Sequence, residues 1–192
     1  MILLIAGASG AGKSTVIKRL TMLSPRYEFI KTHTTRAPRS CDDEKISIRI
    51  EEFLRNEKEG KYFEVVRLYD VMYGSPIEPF LNAIQKGKIA ISGTSVHSVN
   101  KLAMPNVRIV YLLPPSIDEL KRRLSLDNRD ADGIRLKQAI LEIENYRTGK
   151  YSRIIERGFV NGDSPESTAQ QINTYCMQNE EKRSELYYMR QH

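Results

Sequence analysis

Residues 1–14 read Met1-Ile-Leu-Leu-Ile-Ala-Gly7-Ala-Ser-Gly10-Ala-Gly12-Lys13-Ser14, and Thr15-Val16-Ile17-Lys-Arg-Leu20 follows. The unbroken apolar run from Ile2 to Ala6 predicts a strand covered on both faces. Val16, Ile17, Leu20 and Leu23 recur at helical spacing over 13–23, and Ser24-Pro25 closes that helix. Between strand and helix lies GxxxxGK[ST] without a gap. Its glycines let backbone N–H groups curl around a di- or triphosphate. Lys13 is placed to reach the β- and γ-phosphates, and the Ser14 hydroxyl to meet Mg²⁺. The N-terminal end of the following helix adds its dipole. A chance glycine-rich turn would lack this flanking strand and helix. The loop therefore predicts ATP binding through Gly7, Ser9, Gly10, Ala11, Gly12, Lys13, Ser14 and Thr15, with Ser14 as metal ligand and Lys13 as a catalytic cation.

Outward from the loop, apolar runs alternate with amphipathic stretches. Strands are expected at 27–31, at 62–72 around a turn, and at 88–92, 107–113 and 158–161. Helices are expected at 51–60, and at 76–86 with Ile77, Phe80, Leu81 and Ile84 on one face. Further helices are expected at 116–126, opened by the capping box Ser116/Glu119, at 132–147, and at 164–178 with Pro165 in its first position. Residues 32–47 are polar, contain Pro38 and read as loop; the tail 179–192 reads as helix or disorder. This alternation predicts an α/β fold, a parallel-sheet core of the P-loop NTPase type flanked by helices.

The chain of 192 residues has room for one domain, and its 40% hydrophobic and 28% charged content suits a soluble globular core. No apolar run approaches the ~20 residues of a membrane span. The opening run is short for a secretion signal and lacks a basic leader, so a cytoplasmic protein is expected. Cys41 and Cys176 stand alone, with no spacing that suggests a disulfide framework or a zinc site. The net charge of +6 invites a nucleic-acid reading, but its placement argues against one. Residues 1–40 hold seven Lys/Arg against the single acid Glu28, while the remainder balances at 23 of each sign. Cations concentrated beside a phosphate loop suit a small phosphorylated partner.

Next comes Thr32-His33-Thr34-Thr35-Arg36-Ala37-Pro38-Arg39. Two arginines three apart, with a proline between, can set two guanidinium forks on one anion, and the Thr32, Thr34 and Thr35 hydroxyls can add bonds. Alone, this segment would read as a solvated basic loop. Beside a phosphate loop it reads as the second anion site that a phosphotransferase needs. His33 and His97 read as loop residues rather than catalytic bases.

GASGAGKST at 7–15 followed by TTRAPR at 34–39 resembles the guanylate kinase family. The likeness continues through Phe53 to Glu64, Tyr73-Gly74-Ser75, Pro114-Pro115-Ser116, Lys121-Arg-Arg-Leu124 and Gly158-Phe-Val-Asn161-Gly-Asp163, covering about residues 1–178. The resemblance implies that Arg36 and Arg39 hold an acceptor phosphate, with Thr32 at the family's serine position and Tyr73 reaching the same group. It implies that Glu64 accepts from N1 and N2 of guanine and that Ser75 donates to O6. Arg123, Arg129 and Arg135 are the lid candidates for the transferring phosphate; their alternative is solvated helix charge.

Two departures stand out. Residues 40–47 are shorter than the family's segment and lack its further phosphate-binding tyrosine. The family's Asp-x-Asp after the strand at 88–92 is replaced by Ser92-Gly93-Thr94-Ser95, so Mg²⁺ would lean on Ser14, phosphates and waters. Ser92, Thr94 or Ser95 could then face a sugar or another neutral group.

The expected organisation is one kinase domain over 1–192, with its core at about 1–31, 76–122 and 148–178. An acceptor-binding insertion falls at about 32–75, a helical lid at about 123–147, and a tail at 179–192. The expected activity is transfer from Mg-ATP to a nucleoside monophosphate, GMP or dGMP in kind. No nucleic-acid or membrane partner is expected, and the oligomeric state stays open. One alternative is a kinase of a sugar phosphate or modified nucleotide. Another is a non-catalytic binding module, against which the intact Lys13 and Ser14 argue.

Overall fold

A computed structural model describes residues 1–38, 44–68, 70–95, 106–126 and 133–189, with side chains as far as 179. Its strands are β1 (Ile2–Ala6), β2 (Tyr27–Phe29), β3 (Thr32–Thr34), β4 (Lys45–Ser47), β5 (Tyr62–Leu68), β6 (Val71–Pro76), β7 (Ile89–Gly93), β8 (Val107–Leu113) and β9 (Arg157–Val160). Its helices are α1 (Lys13–Leu23), α2 (Ile50–Lys58), α3 (Ile77–Gln85), α4 (Ile117–Leu126), α5 (Ile134–Arg147) and α6 (Pro165–Met189).

The main sheet runs β2-β7-β1-β8-β9, and every pair in it is parallel. β1 is central: Leu3 stands beside Ile91 of β7 and Arg108 of β8. All five of its residues are buried, which explains its unbroken apolar sequence. Leu3 and Ile5 meet Val16, Ile17 and Leu20 of α1 and Ile172 of α6. Ile2, Leu4 and Ala6 face the other way, onto Phe80 and Ala83 of α3 and onto Tyr151 and Ile155. The α3 face differs from expectation at Leu81, which is half exposed while Phe80 and Ala83 are buried.

A second sheet, β4-β3-β6-β5, lies within 32–76, and β5 and β6 form an antiparallel hairpin. Residues 32–47, expected as loop, contribute β3 and β4 to this sheet. Three residues are too few for an alternating pattern to declare itself. What makes β3 a strand is the partner edge, where His33 pairs with Gly74 and Thr34 with Tyr73. Beneath the hairpin, the Phe53 and Tyr62 rings stack 4.7 Å apart. A Cβ on Gly74 would stand 2.8 Å from the Tyr62 ring, so only glycine fits there. The helix expected at 164–178 continues to Met189, which makes the described part of the tail helical. Cys176 is buried in the core, and Cys41 lies outside the described residues.

These burial differences have a measurable consequence. Leu3→Ala removes a fully buried side chain packed beneath α1 and α6 and should lower the unfolding free energy by about 2–5 kcal/mol. Leu81→Ala, on the half-exposed side of α3, should lower it by only about 0.5 kcal/mol. Denaturant unfolding checks both, and equal losses would contradict this core.

Candidate active site

The parallel strands of the main sheet deliver their C-terminal ends to one edge, where ligands of open α/β sheets gather. β1 ends in the phosphate loop, whose Gly12 has φ 93. A Cβ there would collide with the Asn161 amide nitrogen, so both conformation and space demand glycine. Asn161 Nδ2 donates to the Ala11 carbonyl at 3.0 Å, and Asn161 Oδ1 accepts from Thr168 Oγ1 at 3.3 Å. Its backbone N–H donates to the Leu113 carbonyl at 2.8 Å, tying the end of β9 to β8. Asn161 therefore props the loop from beneath.

Arg123 reaches the same place from α4. Its Nη1 donates to the Ala11 carbonyl and its Nη2 to the Asn161 carbonyl, both at 3.4 Å. Its Nε donates to Glu119 Oε1 at 2.8 Å. The hydrogen bonds from Arg122 and Arg123 hold the Glu119 carboxyl far below the usual carboxylate range. Leu120 and Leu124 of α4 bury against Ala8 of the loop and Ala139 and Ile143 of α5. Lys13 Nζ folds over the loop and donates to the carbonyls of Gly7 at 2.6 Å and Ala8 at 3.0 Å. Ser14 Oγ donates to Glu44 Oε2 at 2.6 Å, bringing a carboxylate from the head of β4 to the expected metal hydroxyl.

Of the residues expected to hold an acceptor, Thr32, Glu64, Tyr73 and Ser75 lie on the second sheet and Arg36 just after β3. Thr34 Oγ1 accepts from the Arg36 backbone N–H at 3.2 Å, and Thr35 Oγ1 accepts from the Met72 N–H at 3.0 Å. As acceptors these hydroxyls shape the turn that presents Arg36 and lace it to β6. Thr32, Arg36 and Tyr73 are half-buried. Glu64 and Ser75 pair directly across the hairpin and are only 8% and 5% exposed.

Thr94, just past β7, donates its hydroxyl to Glu64 Oε1 at 2.8 Å and to Oε2 at 3.1 Å. Ser92 is buried and donates to the Ile30 carbonyl at 3.0 Å, which commits it to the core rather than to a ligand. His33 sits in β3 rather than a loop, its Nδ1 3.0 Å from the Tyr62 hydroxyl, and burial pushes its pKa down. Arg135 stands in the first turn of α5 and is half-buried. Arg39, His97 and Arg129 lie outside the described residues. Asn161 and Thr94 were quoted in sequence motifs without these roles, and Glu44 was not singled out.

A strand–loop–helix phosphate site on a parallel sheet, beside a separate sheet carrying a buried carboxylate, defines a P-loop phosphotransferase of small acceptors. Comparison with known proteins narrows this class. The family model described as Guanylate kinase matches residues 1–179. A guanylate kinase of Pseudomonas fluorescens (strain Pf0-1) is 30% identical over 152 residues, covering 74% of this chain and 73% of that protein. One of Rickettsia bellii (strain RML369-C) is 28% identical over 193 residues, covering 96% and 97%. The crystal structure of guanylate kinase from Anaplasma phagocytophilum shares the fold with TM-score 0.72 at 24% identity, over 93% of this chain and 85% of that one. Shikimate kinase from Acinetobacter baumannii shares it with TM-score 0.51 at 16% identity, over 93% of each chain. The chain belongs to the guanylate kinase family, and it is an ATP-dependent phosphotransferase.

The prop under the loop is directly testable. Asn161→Ala leaves the Ala11 carbonyl without its amide donor and should weaken ATP binding by about 1–2 kcal/mol, roughly 5- to 30-fold in Kd. Titration calorimetry of the folded variant checks this. An unchanged ATP affinity would make the Asn161 contact incidental.

Proposed function

We propose that the chain transfers the γ-phosphoryl group of ATP to the phosphate of GMP or dGMP, giving ADP and the matching diphosphate. The observation that carries the choice of acceptor is the buried Glu64 carboxylate paired across the hairpin with Ser75. A carboxylate matches two adjacent N–H donors, which guanine offers at N1 and N2 and adenine does not. Ser75 would donate to O6. A base-free sugar phosphate would leave this buried carboxylate without that match.

The chemistry asks for alignment and positive charge more than for a base. An acceptor phosphate oxygen is already an anion and attacks the γ-phosphorus in line. The bond from that phosphorus to the β–γ bridging oxygen breaks, and ADP leaves with the electron pair. Arg36 would hold the acceptor phosphate, with Thr32, Tyr73 and, by family likeness, Arg39. Lys13 would swing from the loop carbonyls onto the β- and γ-phosphates. Arg123, already against the loop, would neutralise charge on the transferring group, with Arg129 and Arg135 as further lid cations.

The hard oxygens of Ser14 and Glu44, 2.6 Å apart, suit Mg²⁺. Ser14 would hold the ion, with Glu44 beside it as an acceptor for metal-bound water. When bound, the ion would supply positive charge to offset that of the transferring phosphates.

The lid and insertion boundaries at about 123–147 and 32–75 belong to this proposal. Among the described residues, no helix is long and apolar enough to cross a membrane.

An acceptor panel with ATP and product detection tests the reading. GMP and dGMP should exceed AMP in kcat/KM by at least about tenfold, because adenine does not offer the buried Glu64 carboxylate the two adjacent donors of guanine. Glu64→Ala should shrink that gap. Equal use of AMP, or faster use of ribose 5-phosphate, would overturn the assignment.

A further inference from the structure

Thr94 occupies a place where a neutral hydroxyl meets a buried charge. Its Oγ1 lies within hydrogen-bond reach of both Glu64 oxygens, at 2.8 and 3.1 Å, so one donor restrains the plane of the carboxylate. Thr94 is itself held. Its backbone N–H donates to the Ile5 carbonyl at 3.0 Å, and its β-branched side chain is stiff at χ1. A bonded path therefore runs from Ile5 in the strand that carries the phosphate loop, through Thr94, to the acceptor carboxylate on the second sheet.

We propose that Thr94 is a positioning residue that sets acceptor specificity. It fixes Glu64 so that the remaining acceptor capacity of the carboxylate faces the N1–H and 2-amino groups of a guanine. A carboxylate has about four lone-pair directions, so the shared Thr94 proton leaves room for a two-donor edge. The hydroxyl lets Glu64 stay in place with its neighbour neutral. Discrimination for the 2-amino group then draws on the orientation of the Glu64 carboxylate, to which the Thr94 hydroxyl contributes. This proposal rests on the reading of GMP as acceptor.

The test is steady-state kinetics of the full chain with ATP and GMP, IMP or AMP; IMP keeps N1–H but lacks the 2-amino group. Thr94→Val keeps the shape and removes the donor, Thr94→Ser keeps the donor, and Glu64→Ala is the reference. Thr94→Val should raise the GMP KM by about tenfold, leave kcat and the ATP KM within about twofold, and shrink the preference for GMP over IMP. Thr94→Ser should restore both KM and preference. A wild-type GMP KM and GMP/IMP ratio in Thr94→Val overturns the proposal, and so does an equal KM rise for all three acceptors, which marks a packing residue. Failure of the Ser variant to rescue also overturns it. If Glu64→Ala lowers the preference for GMP while Thr94→Val does not, this proposal alone falls. If Glu64→Ala also changes nothing, the guanine reading falls with it.

Discussion

The enclosure of β1 between β7 and β8, with helices over both faces, is the constraint on which the rest depends. A strand buried on every side cannot shift register without exposing apolar surface or breaking two ladders at once. It therefore delivers the phosphate loop to one fixed point on the edge of the sheet. The loop is then held from outside itself, because the Ala11 carbonyl accepts from both Asn161 and Arg123. Preorganised donors are what phosphoryl transfer draws on, so the stability of the core and the geometry of the catalytic loop are one matter.

The second sheet carries different chemistry, and polar contacts join it to the first near the site. Thr94 is one: its amide is bonded into β1 and its hydroxyl holds Glu64. Ser14 and Glu44 make another, from α1 to the head of β4. Both contacts join the main-sheet unit, which carries the phosphate loop, to the second sheet, which carries Glu64.

Much of this was legible in the chain itself. β1, the loop and α1 carry a continuous apolar run, a gapless glycine motif and a helical period, three local signals that agree. Glu64 and Ser75 were reached through family likeness, and the hairpin places them side by side. β3 and β4 escaped because strands of three residues draw their identity from a partner edge, not from their own pattern. Thr94 and Asn161 were visible as residues but not as contacts, because each bonds to an element far away in sequence. Glu44 sits in a polar stretch where nothing local separates it from its neighbours. The Thr34 and Thr35 hydroxyl oxygens accept from the backbone amides of Arg36 and Met72, a structural use that the local sequence does not display.

The central claim is that one site holds a guanine monophosphate between Glu64 and Arg36, with its phosphate turned to the loop. A crystal structure of the chain with GMP and a non-hydrolysable ATP analogue tests it most directly. Guanine N1 and N2 should lie within hydrogen-bond distance of the Glu64 carboxylate, with the GMP phosphate on the Arg36 guanidinium, facing the γ-phosphate of the analogue over Lys13. A guanine bound away from Glu64, or a monophosphate seated where it cannot face the loop, would contradict it.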